Sequence, residues 1–121
     1  MVQTKVNFAD TFKKRTKKFA LDVIHFSKAL PRTDESLIIK RQLLRSATSV
    51  AANYRAVCRA RSAAEFHSKL SIVVEEADES LFWLEIISEA EIINNANTMA
   101  LQKEITEILS VMATARKNTA K

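Results

Sequence analysis

No glycine occurs among the 121 residues of this chain, and Pro31 is its one proline. That absence constrains the fold more than any motif does. Tight β-hairpins draw on glycine for backbone angles that other residues resist, so an all-β architecture is disfavoured. Glycine-rich phosphate loops are ruled out outright. What is left is a chain punctuated by polar caps and one proline, with apolar residues recurring at helical spacing between those marks. The sequence predicts an all-α fold, an antiparallel up-down-up-down four-helix bundle. One domain spans residues 1–121, with helices at about 8–30, 34–61, 63–93 and 98–115. Apolar residues at 47% and charged residues at 27% suit a globular chain with a single core.

The second helix organises the rest. Leu37, Leu44, Ala51 and Cys58 fall nearly in line at about 100° per residue, and Leu43, Ala47, Val50, Tyr54 and Val57 widen that line into a buried face. A face this broad meets more than one neighbour. Cys58 is expected there as a small buried hydrophobe. A second ridge runs through Arg41, Arg45, Thr48, Ala52, Arg55 and Arg59. Arginine forks suit phosphate oxygens, and the small residues between them let a backbone come close. The competing reading is a solvated face paired with acidic residues of another helix.

On the first helix, Asn7 is the expected N-cap. Phe12, Thr16, Phe19, Val23, Phe26 and Leu30 form its inward seam. Lys13, Lys14, Arg15, Lys17 and Lys18 wrap much of the remaining surface and cannot all find internal partners. Pro31 ends this helix and Thr33 caps the next. Ser62-Ala63-Ala64-Glu65 is a capping box that opens the third helix. Its core face is Phe66, Leu70, Val73, Ala77, Leu81, Leu84 and Ser88. Ile72, Phe82, Trp83, Ile86 and Ile93 project elsewhere, a second apolar surface read as an oligomer interface. Asn94, Asn95 and Asn97 form the next turn, where asparagine supplies the left-handed conformation that glycine would otherwise take. Leu101, Ile105, Ile108, Leu109 and Met112 point inward from the fourth helix. Arg116 to Lys121 is read as a frayed tail.

Charge is unevenly placed. Residues 1–61 hold 14 Lys/Arg and 4 Asp/Glu, a balance of +10, whereas residues 62–121 hold 5 and 10, a balance of −5. The basic half suggests an anionic partner, or pairing between the two halves within or between subunits.

No reaction is visible. The carboxylates of the third helix invite comparison with di-iron bundles, but these need two Glu-x-x-His motifs. Asp22 stands three residues before His25, and Ala64 three before His67. No Ser/His/acid or Cys/His set can be assembled. The expectation is no catalytic residues, no metal and no cofactor. The lone Cys58 allows no disulfide within the chain and fits a reducing cytoplasm. No signal peptide is evident, and no apolar run is long enough to cross a membrane.

Several segments carry a likeness in combination. They are Leu30-Pro31; Gln42-Leu43-Leu44-Arg45-Ser46-Ala47-x-Ser49-Val50-x-x-Asn53-Tyr54; Ser62-x-x-Glu65-Phe66-x-x-Lys69-Leu70; and Glu76-Ala77-x-Glu79-x-x-x-Trp83-Leu84. Together they resemble the four-helix-bundle proteins encoded in intervening sequences of bacterial 23S ribosomal RNA genes, over roughly residues 8–112. The resemblance implies an up-down-up-down bundle assembling as a homopentameric ring, without a defined biochemical activity. Where many family members continue after the asparagine with a glycine-containing segment, this chain has Tyr54-Arg55-Ala56-Val57-Cys58-Arg59-Ala60-Arg61. That departure makes the helix more continuous and its ridge more basic.

The expected function is non-enzymatic binding of structured RNA or other nucleic acid by an oligomeric, cytoplasmic bundle. Lys13, Lys14, Arg15, Lys17, Lys18, Arg41, Arg45, Arg55 and Arg59 would contact phosphates, which positions a nucleic acid without reading its sequence. The alternative is a self-assembling or protein-binding scaffold.

Overall fold

The fold is that of a computed structural model, which describes residues 2–119, with side chains from Phe8 onward. Four helices account for it: α1 (Val2–Ser27), α2 (Asp34–Cys58), α3 (Ala63–Glu89) and α4 (Ala96–Thr119). The α2–α3 and α3–α4 seams are the most extensive and α1–α2 follows, while α1 and α4 touch only sparsely. Consecutive helices are antiparallel neighbours. Phe12, in the first half of α1, lies 5.9 Å, ring to ring, from Tyr54 near the end of α2. The Ser80 hydroxyl of α3 reaches Ser46 of α2 at 3.0 Å, and His67 of α3 lies 2.9 Å from the Thr119 hydroxyl of α4.

All four helices feed one core. The predicted seam of α1 is buried along its whole length, from Phe12 to Leu30. Leu70, Val73, Ala77 and Leu84 of α3 and Leu101, Ile105, Ile108 and Met112 of α4 meet it. Leu109 is half-buried and packs against that cluster.

On α2 the buried face is rotated from the expected one. Its buried residues are Ser36, Ile39, Leu43, Ser46, Ala47, Val50, Tyr54 and Val57. Leu37 is exposed, Leu44 and Ala51 are half-buried, and Cys58 is exposed rather than a core hydrophobe. The cause is the pair of small serines. Ser46 and Ser80, both fully buried, bring α2 and α3 close enough to share a hydroxyl hydrogen bond. A count of apolar residues gives serine no weight, so the expected face drifted toward Leu37 and Cys58.

The helix ends also carry corrections. Asn7 is not a cap, because α1 runs through it from Val2. The helix closes at Ser27, short of Leu30. Lys28, Ala29 and Leu30 donate their N–H groups three residues back, at 3.1–3.2 Å. The residue before a proline is pushed out of helical backbone, so the chain tightens ahead of Pro31. Thr33 does cap α2, accepting from Ser36 N–H at 3.3 Å. Ser62 caps α3 through Glu65 N–H at 3.0 Å, while the Glu65 carboxylate accepts from Arg61 N–H at 2.9 Å, one residue before the usual partner.

The third connection differs most from expectation. α3 ends at Glu89 and not near Ile93. The left-handed residue is Glu91, at φ 55°, and not an asparagine. Glu91 N–H donates to Ser88 C=O at 3.2 Å and Ile92 N–H to Ile87 C=O at 3.0 Å, the paired bonds of a Schellman motif. Asn95 instead serves α4, accepting from Asn97 N–H at 2.6 Å through its side chain. The expected frayed tail is helical as far as Thr119, and residues 120–121 lie outside the described residues.

Candidate nucleic-acid interface

The nine basic residues singled out on α1 and α2 divide into three kinds. Two arginines are engaged with a neighbouring helix of the bundle. Arg15 donates to Glu104 at 2.6 and 2.9 Å and to Glu107 at 2.7 Å, and its guanidinium lies 5.4 Å from the centre of the Phe12 ring. The hydrogen bonds it donates to Glu104, then to Glu107, raise the pKa of a group that is already a permanent cation. Arg45 spans Glu76 at 3.2 Å and Glu79 at 2.5 Å. The Arg45 hydrogen bond holds the Glu79 carboxyl below the usual range, and Trp83 Nε1–H adds a second donor at 3.2 Å. These arginines tie α1 to α4 and α2 to α3. For Arg45, the reading as a face paired with acidic residues of another helix is the one that holds.

Lys14 and Lys18 have weaker, same-helix partners one turn away. Lys14 lies 3.4 Å from Asp10, and Lys18 lies 2.7 Å from Asp22. Such exposed pairs contribute little to stability and open readily to a stronger anion.

Lys13, Lys17, Arg41, Arg55 and Arg59 are exposed and have no carboxylate partner among the described residues. Three of them come together. Lys13, Lys14 and Lys17 of α1 and Arg55 of α2 line one cleft of about 230 Å³, with Asp10 at its edge. The juxtaposition follows from the antiparallel register that sets Phe12 beside Tyr54. Arg41 stands apart toward the start of α2, and Arg59 is the C-cap residue at its end. The predicted arginine ridge is therefore not one site, and its strongest part is an α1–α2 cleft.

The sequence reading missed a second basic cleft at the other end of the same helix pair. Lys28, Arg32 and Lys40 line it with Leu30, Pro31 and Leu37, enclosing about 480 Å³. These cations are spread over the end of α1, a turn and the second turn of α2, so no spacing rule groups them.

The apolar residues proposed for subunit contact are also divided. Trp83, Ile86 and Ile93 are half-buried and pack against the core, contrary to the expectation that they project away from it. Ile72 is half-buried, and Phe82 is 48% exposed, its ring edge-on to Trp83 at 4.8 Å. Ile38 of α2, not singled out, is 59% exposed. Among the described residues, no three His, Cys, Asp or Glu side chains group as metal ligands, and no helix is long and apolar enough to cross a membrane.

Comparison with known proteins sets this geometry in context. A family model described as 23S rRNA-intervening sequence protein matches residues 11–114. A crystal structure of a protein of unknown function from the S23 ribosomal protein family of Bacteroides thetaiotaomicron VPI-5482 is similar to this chain at 30% identity. It covers 90% of this chain and 97% of its own, with a TM-score of 0.81. No curated protein matches.

Proposed function

This chain belongs to the 23S rRNA-intervening sequence protein family, and we propose that it is a non-enzymatic nucleic-acid-binding protein of the cytoplasm. It binds structured RNA through the basic face of α1 and α2. The observation that supports this most directly is the cleft of Lys13, Lys14, Lys17 and Arg55. Within one chain, cations on adjacent helices repel one another. Among the described residues Lys13, Lys17 and Arg55 are left without acidic partners, while Arg15 and Arg45 each take two. Such a cluster gains from an external polyanion, whose condensed counterions are released as the cations replace them.

The protein works as a homo-oligomer, and a pentamer is the form the sequence resemblance implies. Exposed Phe82 and Ile38, which no residue of the same chain covers fully, favour an assembled state. An assembly would repeat the basic cleft on one particle and raise avidity for a long nucleic acid.

Fluorescence anisotropy with an RNA hairpin and a matched DNA duplex, across a salt series, tests the reading. Lys17→Glu/Arg55→Glu is the informative variant, because Arg45→Glu would break the ion pair that links α2 to α3. Micromolar or tighter binding, a steep fall with salt and loss in the variant are expected. Flat traces for wild type at low salt would discard nucleic acid as the partner and leave a protein-binding scaffold.

A further inference from the structure

The two basic clefts lie at opposite ends of one face. Lys28, Arg32 and Lys40 at the far end have no carboxylate partner among the described residues, and Asp34 and Glu35 nearby do not line their cleft. Two helices fix the separation independently. Lys14 to Lys28 is fourteen residues along α1 and just past its end, and Arg55 back to Lys40 is fifteen along α2. At ~1.5 Å per residue both routes give roughly 21–23 Å. Between the clefts no unpaired cation stands among the described residues. Leu21 and Ile24 of α1 are 47% and 36% exposed, and Thr48 and Ala52 of α2 are exposed. The charges nearest them are engaged, Arg45 with Glu76 and Glu79 and Lys18 with Asp22. Arg41 stands next to Lys40 at the far end.

We propose that this face straddles one groove of an A-form RNA duplex, each basic cleft resting on one of the two phosphate ribbons. The inference rests on the nucleic-acid reading above and specifies its substrate. A single strand lying along the face would carry phosphates across the middle, where among the described residues no unpaired cation meets them. A duplex has a phosphate-free gap, its groove, between two ribbons. The major groove of B-DNA is about 12 Å wide and, with its ribbons, approaches the required span, but it is about 8.5 Å deep. Reading it takes a protruding element, and this face is the flush side of two packed helices. The minor groove of A-form RNA is wide and shallow and displays riboses, against which Leu21 and Ile24 can rest.

The test is anisotropy with an RNA duplex of about 16 base pairs, the DNA duplex of the same sequence, and one RNA strand alone. Lys13→Glu/Lys17→Glu removes the near cleft and Lys28→Glu/Lys40→Glu the far one. Circular dichroism checks the fold of each, and glutamine pairs replace any glutamate pair that loses helix. The RNA duplex is expected to bind tightest. Each variant should lose tenfold or more and lower the log–log salt slope by about 1.5, for two phosphate contacts. If the far variant binds like wild type while the near one fails, nucleic-acid binding stands and the straddle is overturned. A single strand binding as tightly as the duplex overturns it as well. Wild type that binds none of the three removes both readings.

Discussion

At the scale of single residues, Glu91 shows what a glycine-free chain must accept. The Schellman motif after α3 requires a left-handed residue, and Glu91 fills it at φ 55°. A side chain with Cβ pays about 1–2 kcal/mol for that backbone. Glycine removes the cost but adds freedom to the unfolded chain, so Glu91→Gly should stabilise by a net ~0.5–1 kcal/mol. Denaturant midpoints at one fixed protein concentration measure it, and a lower midpoint would count against the turn as described. The Arg45–Glu79 pair has a sign fixed by its pKa. Glu79 is held below its ordinary value of 4.5, chiefly by the Arg45 hydrogen bond. The pair's contribution is therefore full above that value and is lost as pH falls through the lower, folded one. Arg45 is half exposed, so a double-mutant cycle of Arg45→Ala with Glu79→Ala should give a coupling of about 0.2–1 kcal/mol at pH 7. That coupling should fade as pH falls below 4.5 and through the lowered value of the Glu79 carboxyl.

At the scale of helices, the α2–α3 seam is set by what is small. Ser46 donates to Leu43 C=O at 3.3 Å, and Ser80 faces it at 3.0 Å while also lying 2.9 Å from Glu76 C=O. Ser46→Ala leaves the Ser80 hydroxyl a local acceptor and should cost no more than about 1 kcal/mol. Ser46→Leu forces the helices apart and should cost about 1–3 kcal/mol, read as a lower melting temperature. Equal stability of the two variants would mean the seam is looser than described. The same serines explain what was legible in the sequence. The α1 seam of phenylalanines and valines could be read residue by residue, because large apolar groups at steady spacing leave one choice of face. So could the Thr33 and Ser62 caps, which are local chemistry. The α2 face could not, since two of its buried positions, Ser36 and Ser46, are serines and its best-aligned line included Leu37 and Cys58, both exposed. Of the candidate site, the residue types were legible but not their partners. Whether Arg15 or Lys17 is free depends on which helix lies alongside, and spacing within α1 does not contain that.

At the scale of the whole molecule, the charge asymmetry is only partly cancelled inside the chain. Arg15 and Arg45 take up Glu104, Glu107, Glu76 and Glu79. The basic face of α1 and α2 keeps the rest of its charge. The proposed assembly uses a different force, because Phe82 and Ile38 are apolar. Salt acts on these two surfaces in opposite ways. Screening shortens to about 3 Å at 1 M salt and releases phosphate contacts, whereas apolar burial is not weakened by added salt. Raising sodium chloride from ~0.05 to ~0.2 M should therefore weaken RNA binding by 10³-fold or more if six or more phosphates are contacted, with the mass from light scattering unchanged. Phe82→Glu should do the reverse, lowering the mass toward the 13.6 kDa of one chain while each cleft still binds RNA with the weaker, monovalent affinity. If salt dissolves the assembly at the same concentration at which it releases RNA, the two surfaces are one. The basic face would then be built for a neighbouring subunit's carboxylates rather than for phosphate.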